Sequence, residues 1–359
     1  MQVEVKHVFQ DMQSQWDDFV LAHPQASAYH LFSWGQAVES AYGFTCHRFA
    51  SFREGTLSGV LPVVEMRSLT GKKQLCALPY CDIGGPLALD LESKDALLNS
   101  LINHANTNKI DQVELRSTHK EILSLDEAPA NAKVRMLLPL PPSSAELMAS
   151  FKSKLRSQIR KAEKNGLRFR IVSSETLKDD LPQFYKVISE NMRDLGSPVH
   201  SISWYEAVLH HFRKNAFIAL VEADIDESPN ASPAVIGAAL VLLCNKHAVI
   251  PWASTLASFN RLAPNMLLYW AVLSTSIERG AQHFDFGRST VGEGTFNFKK
   301  QWGALPQQLD WKILSDGEFK NQVFSEPSSA RNVVEKVWKK LPLGVANKIG
   351  PPLRKRISL

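Results

Sequence analysis

Two spacings of apolar residues alternate along this 359-residue chain, and their order sets the elements it predicts. Residues 16–22 and 34–42 place apolar side chains three and four apart, the helical period, with Ser33 positioned to cap the second helix. Residues 45–52, 57–66 and 73–78 are rich in β-branched and aromatic side chains between glycine or polar turns, which predicts three strands. Helical spacing returns over 94–106, and strands follow at 112–116 and 133–138. The run 139–144, PLPPSS, fits neither period and predicts a linker.

Beyond it, 145–165 reads as one helix closed by Gly166 at C′. A strand at 169–172, helices at 177–195 and 204–212, and strands at 216–223, 234–243 and 247–252 come next, with the polar insert 224–233 read as a hairpin loop. Helix 264–279 ends at Gly280, and strands 283–286 and 309–314 close the series. Helices, antiparallel strands, a long helix and further strands thus occur twice in the same order. The expected fold is α/β (α+β), with mixed, mostly antiparallel sheets flanked by helices. The expected domains are 1–144 and 145–315, followed by a basic tail at 316–359.

Hydrophobic residues at 44% and charged residues at 21% exclude a disordered scaffold. Four cysteines without CxxC spacing, Cys46, Cys76, Cys81 and Cys244, predict buried thiols rather than a disulfide framework. The opening MQVEVKHVFQDMQ has neither the basic nor the apolar part of a signal peptide. The longest uncharged stretch, 262–277, falls short of the ~18 residues of a bilayer span. A cytoplasmic protein is expected. Of the net charge of +5, residues 151–170 carry +7 and residues 331–359 another +7, so the remainder is acidic. Charge gathered at two places suits phosphates of a nucleotide, coenzyme, RNA or lipid. The tail adds Trp338, Leu341, Leu343, Val345 and Ile349 to its cations, a composition for contact with anionic membrane at the inner face. Pro342, Pro351 and Pro352 should break any long helix there, and packing on the domains or disorder is its default state.

No GxSxG elbow, Walker A loop, HExxH helix or EF-hand loop occurs, which removes the simple hydrolase, P-loop and zinc-protease readings. His210 and His211 are adjacent, so their side chains diverge and cannot share a metal; a surface role at a helix end is expected. The densest segment is HFDFGRSTVGEGTFNFKKQWG, residues 283–303. A strand there delivers Asp285 and Arg288 to its end, and a glycine-rich turn presents Phe298, Lys299 and Lys300, which gathers Asp285, Arg288 and Lys299 into one pocket. Equally, these residues are a strand, a loop and a surface lysine pair, with Asp285 the ion-pair partner of Arg288.

That segment resembles the C-terminal signature of the FemAB/FemX family of peptidyl and aminoacyl transferases. LRSQIRKAEKNGL (155–167) resembles the family's basic helix, and FNRLAPNMLLYWAVLSTSIERG (259–280) the helix before its signature. LPYCDIGGP (78–86) resembles its first-domain Pro-Tyr and Gly-Gly segment, and Ser33-Trp34 its early Ser-Trp site. NMRDLGSPV (191–199) and tail pieces at 338–343 and 350–351 resemble the FemAB-related group associated with exopolysaccharide loci and PEP-CTERM/exosortase sorting.

The resemblance implies two tandem GNAT-like domains and transfer of an acyl or aminoacyl group to an amine of an envelope, peptidoglycan or exopolysaccharide precursor. It implies a catalytic Lys299 that meets substrate phosphate and transition-state charge, with Phe298 beside it, and an acceptor site near Trp34, Tyr80, Asn191 and Arg193. In a GNAT-like domain the donor lies along a splayed strand, here 247–254 with Trp252 and Ser254, and its pyrophosphate meets the next helix at Pro264-Asn265. Arg288 suits a phosphate or carboxylate clamp, Asp285 an amine-proton acceptor, and Arg156 and Arg160 contacts to RNA or nucleotide phosphates. Acyl-CoA or aminoacyl-tRNA is the implied donor, and no metal is implied. Enzymes using acetyl-CoA carry a glycine-containing loop where this chain has Phe259-Asn260-Arg261-Leu262-Ala263-Pro264-Asn265, which moves weight toward charged tRNA or a carrier-bound donor. A CoA-dependent N-acetyltransferase and a non-catalytic binding module of an envelope or exopolysaccharide assembly system are the alternatives.

Overall fold

The computed structural model describes residues 3–173, 175–224, 233–322 and 329–359. In chain order the first stretch forms β1 (Val3–His7), α1 (Gln13–Ala22), α2 (Phe32–Tyr42), β2 (Thr45–Arg53), β3 (Thr56–Arg67), β4 (Lys73–Cys76), β5 (Leu87–Ala88), α3 (Leu91–Thr107), β6 (Gln112–Ile122) and β7 (Lys133–Pro139). The second forms α4 (Ser144–Ser150), α5 (Ser153–Lys164), β8 (Arg168–Ile171), α6 (Leu177–Asp194), α7 (Ile202–Phe212), β9 (Ala216–Ala223), β10 (Ala234–Cys244), β11 (His247–Thr255), α8 (Pro264–Glu278), β12 (His283–Thr290) and α9 (Gly294–Gln301). The chain continues with β13 (Leu305–Ser315), β14 (Glu318–Asn321), α10 (Ser329–Trp338) and α11 (Leu343–Arg354).

Three expectations need correction. Ser33 lies inside α2 rather than at its cap, and the Phe32 N–H is held instead by Asp17 Oδ1 at 2.8 Å. The helix expected over 145–165 is two, because Phe151 turns extended and drives its ring edge-on against Trp302, centroids 5.4 Å apart. Pro351 and Pro352 sit within α11, near its C-terminal end, rather than preventing it. Gly166 does close α5 with φ +80°. All four cysteines are free and buried. β9 and β10 pair as expected of a hairpin, though most of the insert between them, 225–232, lies outside the described residues.

The described strands form one mixed sheet in the order β1-β2-β3-β4-β6-β13-β7-β12-β11-β10-β9-β8, with β5 on β3 and β14 on β13. Two pairs in it are parallel, β4 with β6 and β11 with β12, and each is joined by a crossover helix, α3 and α8. Every other pair is antiparallel. β1, α1, α2, β2, β3, β4, α3, β6 therefore recur as β8, α6, α7, β9, β10, β11, α8, β12. The two halves exchange strands at the centre. β7, from the first, pairs with β12, and β13, from the end of the chain, pairs with β6 as well as β7. The main core runs through both halves, and a smaller one lies between α3 and the sheet around Phe49, Leu61, Leu75, Leu97 and Leu101. The tail packs back: the Ser358 carbonyl accepts from Tyr80 N–H at 2.6 Å and Trp338 is buried. Among the described residues no helix is long and apolar enough to cross a membrane.

Candidate active site

The parallel pair β11–β12 is in register only over His247↔His283, Ala248↔Phe284 and Val249↔Asp285, although both strands run on. Each strand bends at that level. β11 carries one extra residue against β10 between Val249 and Trp252, at Ile250-Pro251, where proline supplies no N–H to a ladder. β12 loses register with β7 between Asp285 and Arg288, around Gly287 at φ +72°, a conformation that suits glycine. The strands diverge, leaving Pro251, Trp252, Ala253 and Gly287 half-buried at the mouth of the opening.

Lys299 reaches this opening from α9. Its Nζ donates to the Gly287 and Arg288 carbonyls at 3.0 and 2.7 Å, so it staples the bend and keeps a third N–H for another partner. Lys299 is 7% exposed. Burial pushes its pKa down to about 8, against the opposing pull of the Asp285 and Asp82 carboxylates. Asp285 is buried too, which raises its carboxyl, while Arg135 Nη1 at 3.3 Å from Oδ2 and the Gly287 N–H at 2.8 Å from Oδ1 act the other way. Its ion-pair partner is therefore Arg135 on β7, not the expected Arg288. Arg288 engages Asp82 instead. Asp82 Oδ2 accepts from the Arg288 N–H at 3.1 Å, Oδ1 lies 3.6 Å from Nε, and the guanidinium stands 5.3 Å from the Trp311 ring centre. The glycine-containing turn at 291–293 leads into α9, which carries Phe298, Lys299 and Lys300; Phe298 packs edge-on against Tyr269.

Trp34, Trp252 and Tyr80 lie at the seam between the halves, and Asn191 meets Ser254 within the second. Trp34 is fully buried, stacks on Trp252 with centroids 6.2 Å apart, and donates Nε1 to Pro79 O at 3.1 Å. Tyr80, at φ +66°, lies edge-on to His200 and Trp204 and donates its hydroxyl to Lys355 O at 2.6 Å. Asn191 Nδ2 donates to Ser254 Oγ at 3.0 Å, two residues along β11 from Trp252. Arg193 pairs with its neighbour Asp194, and Asn265 is exposed in the first turn of α8. Arg156 donates to Ala149 O at 3.1 Å, and Arg160 is exposed on the same helix, α5. Beside that helix a groove of about 1030 Å³ runs between α4, α5 and α9, floored by Leu147, Phe151 and Trp302 and bordered by Lys152, Lys154 and Lys300. Lys300 borders the groove, while Lys299 serves the strand opening.

Sequence reasoning missed four participants. Asp82 had a signal, since it falls inside the LPYCDIGGP segment; Arg135 had none, because only strand exchange brings β7 to Asp285. His200, whose imidazole burial drives well below its ordinary pKa, accepts or donates at 2.6 Å with the Tyr42 hydroxyl. Arg354 of α11 stands 5.5 Å from the Tyr80 ring centre.

Residues 149–300 match the acetyltransferase (GNAT) domain family. No curated protein matches the chain. Among solved structures it is similar to FemX, with 18% identity and a TM-score of 0.64 over 85% of this chain and 95% of that one. It is also similar to a tandem GNAT protein from the clavulanic acid biosynthesis pathway (11% identity, TM-score 0.53, 87% and 98% covered) and to L-PGS from Bacillus licheniformis (9%, 0.52, 91% and 97%). The fold is thus the mixed α/β architecture of tandem GNAT and FemX proteins, and the match to the acetyltransferase (GNAT) domain falls within its second half.

Proposed function

We propose that this chain is an acyl or aminoacyl transferase of the FemAB/FemX kind, acting on an amine of a cell-envelope, peptidoglycan or exopolysaccharide precursor. The observation that carries this reading is the divergence of β11 and β12 around a buried Lys299, inside the region that matches the GNAT domain. In the reaction a neutral amine attacks the donor's acyl carbon, a C–N bond forms, the ester or thioester bond breaks, and the amine loses a proton. The third N–H of Lys299 is offered to the developing oxyanion or to a donor phosphate, where a charge in a dry site is most effective. Arg288 clamps a phosphate or carboxylate at the mouth. Asp285, tied to Arg135 and the Gly287 N–H, holds the bend; the half-buried Asp82 is the better placed of the two to take the amine proton.

Aminoacyl-tRNA is the favoured donor. The segment before α8 is a 3-10 turn over Ala257–Leu262 without glycine, and Ala263 takes φ +62°, so the backbone nest that would cradle a coenzyme pyrophosphate lacks its usual glycines. Arg156 and Arg160 on α5, with Lys152 and Lys154 at the groove, suit RNA phosphates. Trp34, Tyr80, Trp252, Asn191, Ser254 and Arg193 would form the acceptor side, and Asn265 the donor side. In this reading the units are 1–144 and 145–315, and the tail, with Val333, Val334 and Val337 exposed beside its lysines, would meet anionic membrane.

The test is thermal stabilisation by two donor panels, acyl-CoA thioesters and charged tRNAs, since a ligand at ~100 times its Kd adds about 2.7 kcal/mol. Stabilisation by charged tRNA beyond that by uncharged tRNA is expected. Acyl-CoA exceeding free CoA would instead assign a CoA-dependent N-acetyltransferase, and no response to either panel would overturn the reading in favour of a binding module.

A further inference from the structure

At the far end of the first half, away from the β11–β12 opening, three imidazoles and a carboxylate converge from four elements. His47 on β2 and Glu65 on β3 sit diagonally across the ladder, since Thr45 pairs with Glu65 and His47 with Val63. Both lie at the rim of the smaller core, and the last turn of α3 brings His104 over them. The ring centres of His47 and His104 are 4.5 Å apart, and His47 Nε2 is 3.4 Å from Glu65 Oε2. One ligand atom from each of His47, Glu65 and His104 falls within 4.8 Å of the other two. His7, the last residue of β1, joins them with its ring 5.4 Å from His104 and 5.9 Å from His47.

We propose that His47, Glu65 and His104, with His7 as the fourth ligand, form a site for a divalent transition metal ion, best matched by Zn²⁺. Imidazole nitrogens and one carboxylate oxygen are donors that this ion takes, at about 2.0–2.2 Å in a tetrahedron. His47, Glu65 and His104 already hold one ligand atom each within 4.8 Å of the others, and rotation of the exposed His7 side chain would add the fourth. A second observation points the same way: His104 Nε2 is buried and has no hydrogen-bond partner among the described residues, a costly state that a metal would relieve. The ion would tie the edge strand β1 and the end of α3 to β2 and β3, a structural role in the half of the molecule that lacks the strand opening.

The experiment uses the untagged full chain, stripped with a chelator and titrated with Zn²⁺ alone, then with Co²⁺ read by visible absorption. One Zn²⁺ per chain is expected, with a raised Tm and the intense visible bands of tetrahedral Co²⁺. His104→Ala and Glu65→Gln should abolish that binding, and His7→Ala, at an exposed position on the edge strand, should weaken it by about tenfold or more. His210→Ala should leave it unchanged. No saturable Zn²⁺ binding by the native chain would overturn the proposal, as would Zn²⁺ binding that survives in folded His7→Ala and Glu65→Gln proteins with its affinity intact.

Discussion

The two parallel crossings of the sheet begin alike and end differently. In the first half β4 and β6 are in register to Cys76↔Glu114, and in the second β11 and β12 to Val249↔Asp285, so each crossover strand carries a carboxylate at its last registered position. Beyond that point the first crossing is sealed by its own chain. Ala77 N–H donates to Glu114 O, and Gly84 and Gly85 N–H both donate to Arg116 O at 2.8 Å. Arg116, 2% exposed, then binds the plug and the tail together through Leu78 O, Cys81 O, Ser358 and Glu114. Among the described residues the second crossing has no such plug. It receives one lysine from α9, and from the plug of the first it receives Asp82. A repeated scaffold has thus been closed in one copy and left open in the other, and the closed copy furnishes a wall of the open one.

Breaking the seal should be the most damaging change. Arg116→Ala leaves Glu114 buried without its cation and the Cys81 carbonyl without its donor, so a loss of about 3–5 kcal/mol is expected, read as a fall in the denaturation midpoint. Lys299→Ala acts in the open copy. It should reduce transfer, with the donor identified by the stabilisation panels, by about 10²–10³-fold while the protein stays folded, the magnitude of losing one donor to an oxyanion. Full turnover in folded Lys299→Ala would remove the chemistry from this opening.

Glycine substitutions sharpen the contrast at smaller cost. A Cβ at Gly84 would collide with the Ala77 carbonyl oxygen, so Gly84→Ala must shift backbone in the plug and should cost about 1–3 kcal/mol. A Cβ at Gly287 meets nothing nearer than 3.7 Å, so Gly287→Ala pays only for its positive φ, about 1–2 kcal/mol. Paired urea unfolding of the two variants measures the difference. Equal losses would mean that the plug is no more tightly packed than the opening.

The alternation of periods made most elements legible, because strands such as Ala216–Ala223 and helices such as Leu177–Asp194 announce themselves locally. What was not legible is non-local. Nothing in the Lys133–Pro139 sequence says that it pairs with β12, so Arg135 could not be seen beside Asp285. The break at Phe151 depends on the Trp302 ring, 151 positions further along the chain. The end of the chain reads as a basic tail, packed on the domains or disordered, and no local signal tells that Ser358 fills a polar socket made by Arg116 and Glu114. Lys299 and Arg288 were visible because β12 and α9 are neighbours in sequence as well as in space. Asp82 carried a cue in its Gly-Gly segment, but the partner it finds is 206 residues away.

The last expectation separates the two roles of Lys299 by their opposite dependence on pH. Its pKa of about 8 lies below the ordinary 10.5, so the native protein releases this proton before the unfolded chain does. Between those values the unfolded state holds more protons, and this residue's contribution to stability rises with pH. Electrostatic help to the reaction moves the other way. It needs the ammonium form, is complete below about pH 8, and fades above it toward a tenfold loss per pH unit. A kcat/KM profile that falls above pH 8 while the thermal midpoint of the same samples does not fall with it would assign the loss to the charge rather than to unfolding. Lys299→Arg, which keeps its charge throughout this range, should hold activity flat where the native protein declines. If both proteins decline together, the proton belongs to another group, and Lys299 is reduced to the staple that its bonds to the Gly287 and Arg288 carbonyls already make it.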